Sequence, residues 1–69
     1  MRIKYFEDTD TTLVELSSNP PVETRELNEN IYLDLDSDGN VVSITIEHAS
    51  AATDMREFLF QRIPAATST

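Results

Sequence analysis

The 69-residue chain has no cysteine, no tryptophan, a single glycine and only five basic residues against thirteen acids. Without cysteine there can be no disulfide and no thiolate-bound metal. A net charge of −8 leaves too few cations to neutralise a run of phosphates, which excludes nucleic acid as an expected partner. A polybasic membrane-surface segment is missing for the same reason. No apolar run approaches the ~20 residues of a membrane span. Met1 to Asp8 turns acidic without the apolar stretch of a secretory leader. The expected setting is the cytoplasm, away from membranes.

Apolar residues make up 39% of the chain. A core this small seldom supplies more than about 3–5 kcal/mol of net stability, and neither a disulfide nor a thiolate-bound metal can reinforce it. Regular packing and self-association remain. A homodimer is therefore expected, held by apolar groups surplus to one small core: Phe6, Leu13, Phe60 and Ile63.

Met1, Ile3 and Tyr5 alternate with Arg2 and Lys4, the period of a half-buried strand. After a polar turn with Asp8 and Thr9 at its tip, Thr12, Val14 and Leu16 alternate again. Tyr5 then faces Thr12, Ile3 faces Val14 and Met1 faces Leu16, which puts one apolar set on one face. Pro20 and Pro21 stop that strand. Val22 to Leu27 reads as a weak edge strand carrying Glu23, Arg25 and Glu26.

A second hairpin follows. Ile31, Leu33 and Leu35 alternate with polar residues, as do Val42, Ile44 and Ile46. Ser37-Asp38-Gly39-Asn40 lies between them. Asp38-Gly39 is a preferred two-residue type I′ turn and predicts the pairs Leu35–Val42, Leu33–Ile44 and Ile31–Ile46.

From Ala49 the period changes. Ala51, Ala52, Met55, Phe58 and Leu59 fall on one helical face. Ser50 or Thr53 is the expected N-cap, and Pro64 ends the helix at Arg62 or Ile63. The fold class is α+β: an antiparallel sheet of four or five strands in two hairpins, with one C-terminal helix packed on one face. Residues 1–63 form a single domain and residues 64–69 a flexible tail.

The chemistry-bearing patterns are sparse. Asp34-Leu35-Asp36-Ser37-Asp38-Gly39 matches the opening of an EF-hand calcium loop, but Thr45 stands where the bidentate glutamate belongs and the flanks are strand-like. His48 is the only histidine, so it cannot form a metal cluster with others of its kind. It has carboxylate neighbours but no nucleophile in a catalytic context. Neither cofactor nor catalytic residue is expected. Between Glu7 and Glu47 lie eleven carboxylates against one base, Arg25, a charge of −10. That concentration is either a solvated face or an electrostatic docking surface for a basic protein. Tyr32, Asp34, Asp36, Val41 and Phe60 form the candidate partner surface.

Tyr5, Asp10, Val14 and Leu16, followed by Glu26, Asp34, Asp36, Asp38, Gly39, Val41, Val42, Ile44, Ile46, Ala49 and Ser50, keep the residue types and spacing of a small prokaryotic family. The chain resembles the domain-of-unknown-function 2283 family over about two thirds of its length. Phe6, Leu13, Ser43 and Thr45 depart from the pattern, the last standing where the family carries a glutamate. The resemblance carries over no catalytic residue. It implies a single-domain protein and an antitoxin-like role toward a small basic toxin. With the acidity, the expectation is a non-enzymatic protein-interaction domain. The alternative is a structural or ligand-binding domain without a toxin partner.

Overall fold

A computed structural model describes residues 1–66. Five strands form in chain order: β1 (Arg2–Phe6), β2 (Thr11–Glu15), β3 (Glu23–Asn28), β4 (Ile31–Leu35) and β5 (Val41–Ile46). One helical turn follows, α1 (Ala49–Ala52). The strands make one sheet in the order β1-β2-β5-β4-β3, and each neighbouring pair is antiparallel. Both hairpins arise from the alternation in the sequence. Tyr5 pairs with Thr12 and Ile3 with Val14. Leu33 pairs with Ile44 and Ile31 with Ile46. The β1–β2 hairpin docks its second strand on β5, with Thr12 opposite Ile46 and Val14 opposite Ile44. β3 is an edge strand, and its register shifts between Glu26 and Asn28. Charged side chains on both edges, Arg2 and Lys4 on β1 and Glu23, Arg25 and Glu26 on β3, discourage further strand addition.

The β4–β5 turn differs from the expected type I′ form. Such a turn needs positive φ at both central residues, but in this loop only Gly39 is positive, at 82°. Asp36 closes the loop instead. Its carbonyl accepts from the Gly39 amide at 3.0 Å and its own amide donates to the Asn40 carbonyl at 2.9 Å. This is a three-residue connection with glycine at the left-handed position. The extra residue creates a bulge, so Leu35 pairs with Val41 rather than Val42.

The helix is shorter than the apolar spacing predicts. It ends at Thr53, whose backbone is extended and whose hydroxyl and amide both donate to the Ala49 carbonyl at 2.8 Å. Asp54 then accepts from the Arg56 amide at 3.1 Å, a local bond that competes with helix. So short a helix is marginal without a packed face, and Thr53, Phe58 and Phe60 are weak helix formers. From Thr53 to Ala66 the chain is neither helix nor strand, and it is exposed except at Met55. Of the expected tail, residues 67–69 lie outside the described residues. Among the described residues no helix is long and apolar enough to cross a membrane.

The sheet consequently has no second layer over most of its apolar face. The register aligns Ile3, Val14, Ile44 and Leu33 in one row, and Tyr5, Thr12, Ile46 and Ile31 in the next. Among the described residues, full burial is confined to Leu35, Val42, Ala49, Thr12 and Asp36. Met55 covers Thr12, whose hydroxyl lies 3.4 Å from its sulfur. Val14, Leu33, Ile44 and Ile46 remain half-buried.

Candidate functional site

The other face of the sheet carries the polar rows. Lys4, Leu13, Thr45, Tyr32 and Glu26 align across all five strands, as do Arg2, Glu15, Ser43, Asp34 and Thr24. The face is electrically divided. At the β1 edge Lys4 pairs with Glu15 at 2.9 Å. On the β3–β4 side Asp34 accepts from the hydroxyls of Thr24 at 2.6 Å and Ser43 at 2.7 Å. Those two donors, Thr24 first, hold the Asp34 carboxyl below the usual range. Tyr32 is half-buried, and the carboxylates of Glu47 and then Glu26 push its phenol upward.

Of the candidate surface residues, Tyr32 and Asp34 thus share one face, and Val41 lies half-buried at the hairpin end of the same strand pair. Asp36 does not join them. Alternation predicts it on the solvent side, yet it is 7% exposed, because the hairpin loop folds around it. Its Oδ1 accepts from the amides of Asp38 and Asn40, both at 2.9 Å, and its Oδ2 from the Asn19 side chain at 3.1 Å. The Asn40 amide and then the Asn19 amide hold this carboxyl low. Phe60 also lies elsewhere: with Phe58 it borders a shallow hollow against Met1 and Ile3.

A second polar cluster, which alternation and spacing do not reveal, lies at the opposite end of the sheet. Asp10, at φ 54°, accepts from the Tyr5 phenol at 2.6 Å. Its other oxygen takes the Ser50 hydroxyl at 2.6 Å, and the Ser50 amide donates to its Oδ1 at 3.0 Å. The Asp10 carbonyl accepts from the Ala49 amide at 2.9 Å. Asp10 therefore satisfies the first two donors of α1, which have no partner inside the helix. His48, the residue before the helix, makes no side-chain cap bond, so neither Ser50 nor Thr53 is the cap. The one available signal was the family pattern, to which Tyr5, Asp10, Ala49 and Ser50 all contribute.

This cluster is a tether rather than a nucleophile and base. The Ser50 hydroxyl, then the Tyr5 phenol, hold the Asp10 carboxyl below its ordinary range, and such a carboxylate is a weak proton acceptor. His48 turns its Nδ1 to the Asn30 side-chain oxygen at 3.2 Å, so no imidazole stands between serine and acid. Among the described residues no three His, Asp or Glu side chains converge as a metal ion requires. Asp34 and Asp36, the first acids of the calcium-like run, are engaged separately.

The sequence pattern of a family described as protein of unknown function (DUF2283) matches residues 2–50. No curated protein and no solved structure matches the chain. The matched stretch begins at β1 and stops on Ser50, so it contains every strand and the complete Asp10 tether, and leaves out Phe58 and Phe60. By that match over more than half of its length, the chain belongs to the DUF2283 family.

Proposed function

We propose that this domain is a non-enzymatic interaction module that docks a basic protein on the acidic side of its Tyr32 face, as an antitoxin-like domain would dock a small basic toxin. The observation that carries the reading is the half-buried Tyr32 with Glu26, Glu47 and Asp34 around it. Aromatic anchors supply the desolvated centre of an interface, and surrounding carboxylates select a cationic partner and speed its approach. Asp34 contributes charge from a position fixed by Thr24 and Ser43. Arg2 and Lys4 at the far edge repel a basic partner and so orient it toward β3 and β4.

The test is affinity capture from the native cell with the wild-type chain and with a Glu26→Lys, Glu47→Lys variant. Reversal at Asp34 or Asp36 is unsuitable, since both carboxylates hold internal hydrogen bonds. A basic protein should be retained by the wild type, released by raised salt, and lost with the variant or with Tyr32→Ala. Capture of nothing except the chain itself would sink the reading. A basic protein indifferent to salt and to these substitutions would remove this face from it.

A further inference from the structure

We infer that the uncovered apolar face of the sheet is the contact between two copies of this chain, closed at one edge by Phe58 and Phe60. This does not depend on the Tyr32 reading, because it uses the opposite face.

The first observation is area. A folded monomer of 7.8 kDa is expected to expose about 4,400 Å². This chain exposes 5752 Å². The surplus, about 1,350 Å² against that scaling, exceeds the ~800 Å² that each partner buries in a standard interface. Part of it lies on the segment after α1, where Phe58, Phe60 and Ile63 are 69%, 73% and 84% exposed. On the sheet, the central strands are mostly half-buried, and β1 is exposed throughout.

The second observation is charge. The chain carries −8 overall, yet β1, β2, β4 and β5 place no charged side chain in the two apolar rows. Charge stands at the margins of this face, in Arg25 and Glu23 of β3, paired at 3.1 Å, and in Asp10 beside the Tyr5 phenol. The uncharged rows between them offer a basic or acidic partner nothing to select, and interface centres are depleted in charge. A second copy presents the same uncharged rows, and a two-fold axis lets each satisfy the other. The resulting arrangement is two sheets about 10 Å apart, with their strands inclined by about 30°. The chain's own C-terminal segment is the competing occupant; its described residues meet Thr12 through Met55 and the β1 edge through Phe58 and Phe60. Val14, Ile44 and Leu33 are half-buried.

Sedimentation equilibrium of the full chain across micromolar concentrations tests this. The wild type should have twice the chain mass. The Phe58→Ser, Phe60→Ser variant changes two exposed side chains outside the sheet. It should keep the far-ultraviolet spectrum of the wild type and dimerise about tenfold more weakly or worse. Ile44→Lys should be monomeric, whether or not it folds well, so the aromatic pair carries the decisive comparison. A wild type that stays monomeric and melts cooperatively overturns the inference. So does a dimer whose dissociation constant the aromatic pair leaves unmoved, or a monomer that co-sediments with phosphatidylcholine vesicles through this face.

Discussion

Asp36 and Asp10 sit at opposite ends of the sheet and perform related tasks over very different reach. Asp36 gathers the amides of Asp38 and Asn40, two and four residues ahead. Asp10 gathers the amide and hydroxyl of a residue forty positions away. The first shapes its own hairpin. The second ties the tip of one hairpin to the chain leaving the other, and it fixes where α1 begins. A carboxylate that serves local backbone donors stabilises a turn that already exists in outline. One that serves distant donors must wait for the sheet to assemble, and its loss should release only what it holds.

Substitutions can break this contrast. Asp36→Ala should have the largest effect, because it leaves donors unpaired in a shielded loop and loosens the β4–β5 register. The melting temperature should fall on the order of 10–15 °C, measured by circular dichroism. Gly39→Val attacks the same loop through the backbone. No atom within 4 Å would meet the added Cβ, so the penalty is conformational, roughly 1–2 kcal/mol for a left-handed φ. Gly39→Asn should cost much less, since asparagine tolerates that region. If valine and asparagine behave alike in chemical denaturation, the turn is not what φ 82° says it is.

Asp10→Ala should lower the melting temperature by only a few degrees, about 3–5 °C on the same scale. Hydrogen exchange at Ala49 and Ser50 should accelerate while the amides of β4 and β5 stay protected. Loss of protection across the whole sheet would contradict the purely local role.

Acidity sharpens the comparison further. Asp10, Asp34 and Asp36 all have carboxyls held low in the folded state. Their contribution is complete above the ordinary carboxylate range of about 4 and is lost as pH falls through the lower folded values. Asp36→Asn and Asp10→Asn should each flatten the acid limb of a stability–pH curve. The smallest effect belongs to Tyr5, whose phenol is raised chiefly by its bond to Asp10. That contribution is present below about pH 10 and disappears as pH climbs past it. Tyr5→Phe should make the alkaline slope shallower, leaving the part that belongs to Tyr32, and should slightly relax the hold on the Asp10 carboxyl.

The reach of each interaction also explains what could be read from the residues. Tyr5 opposite Thr12 and Leu33 opposite Ile44 were legible, because side-chain period and short loops fix register together. The edge position of β3 followed from Pro20, Pro21 and its charges. The bulge at Leu35 was not legible. Asp-Gly fits both a two-residue turn and a three-residue turn, and the carboxylate of Asp36, two residues upstream of Asp38, decides between them. The helix was overextended because Met55, Phe58 and Leu59 keep helical spacing, although the sheet offers them no packing surface. Tyr32 and Asp34 were placed by alternation alone. Asp36 escaped because alternation does not register a side chain that turns back into its own loop, and the Asp10–Ser50 tether because nothing local links them.

The strand order has a kinetic consequence. β1–β2 is one local hairpin and β3–β4–β5 a local meander, so most pairings close short loops quickly. Among the described residues the lone distant strand pairing is β2 on β5, with Thr12 meeting Ile46, and its loop entropy must be overcome before those contacts are rewarded. The pairing order predicts that β1–β2 and β3–β4–β5 dock late on one another. Substitutions at the seam where Val14 meets Ile44 are then expected to slow folding, and those on the outer strands to speed unfolding.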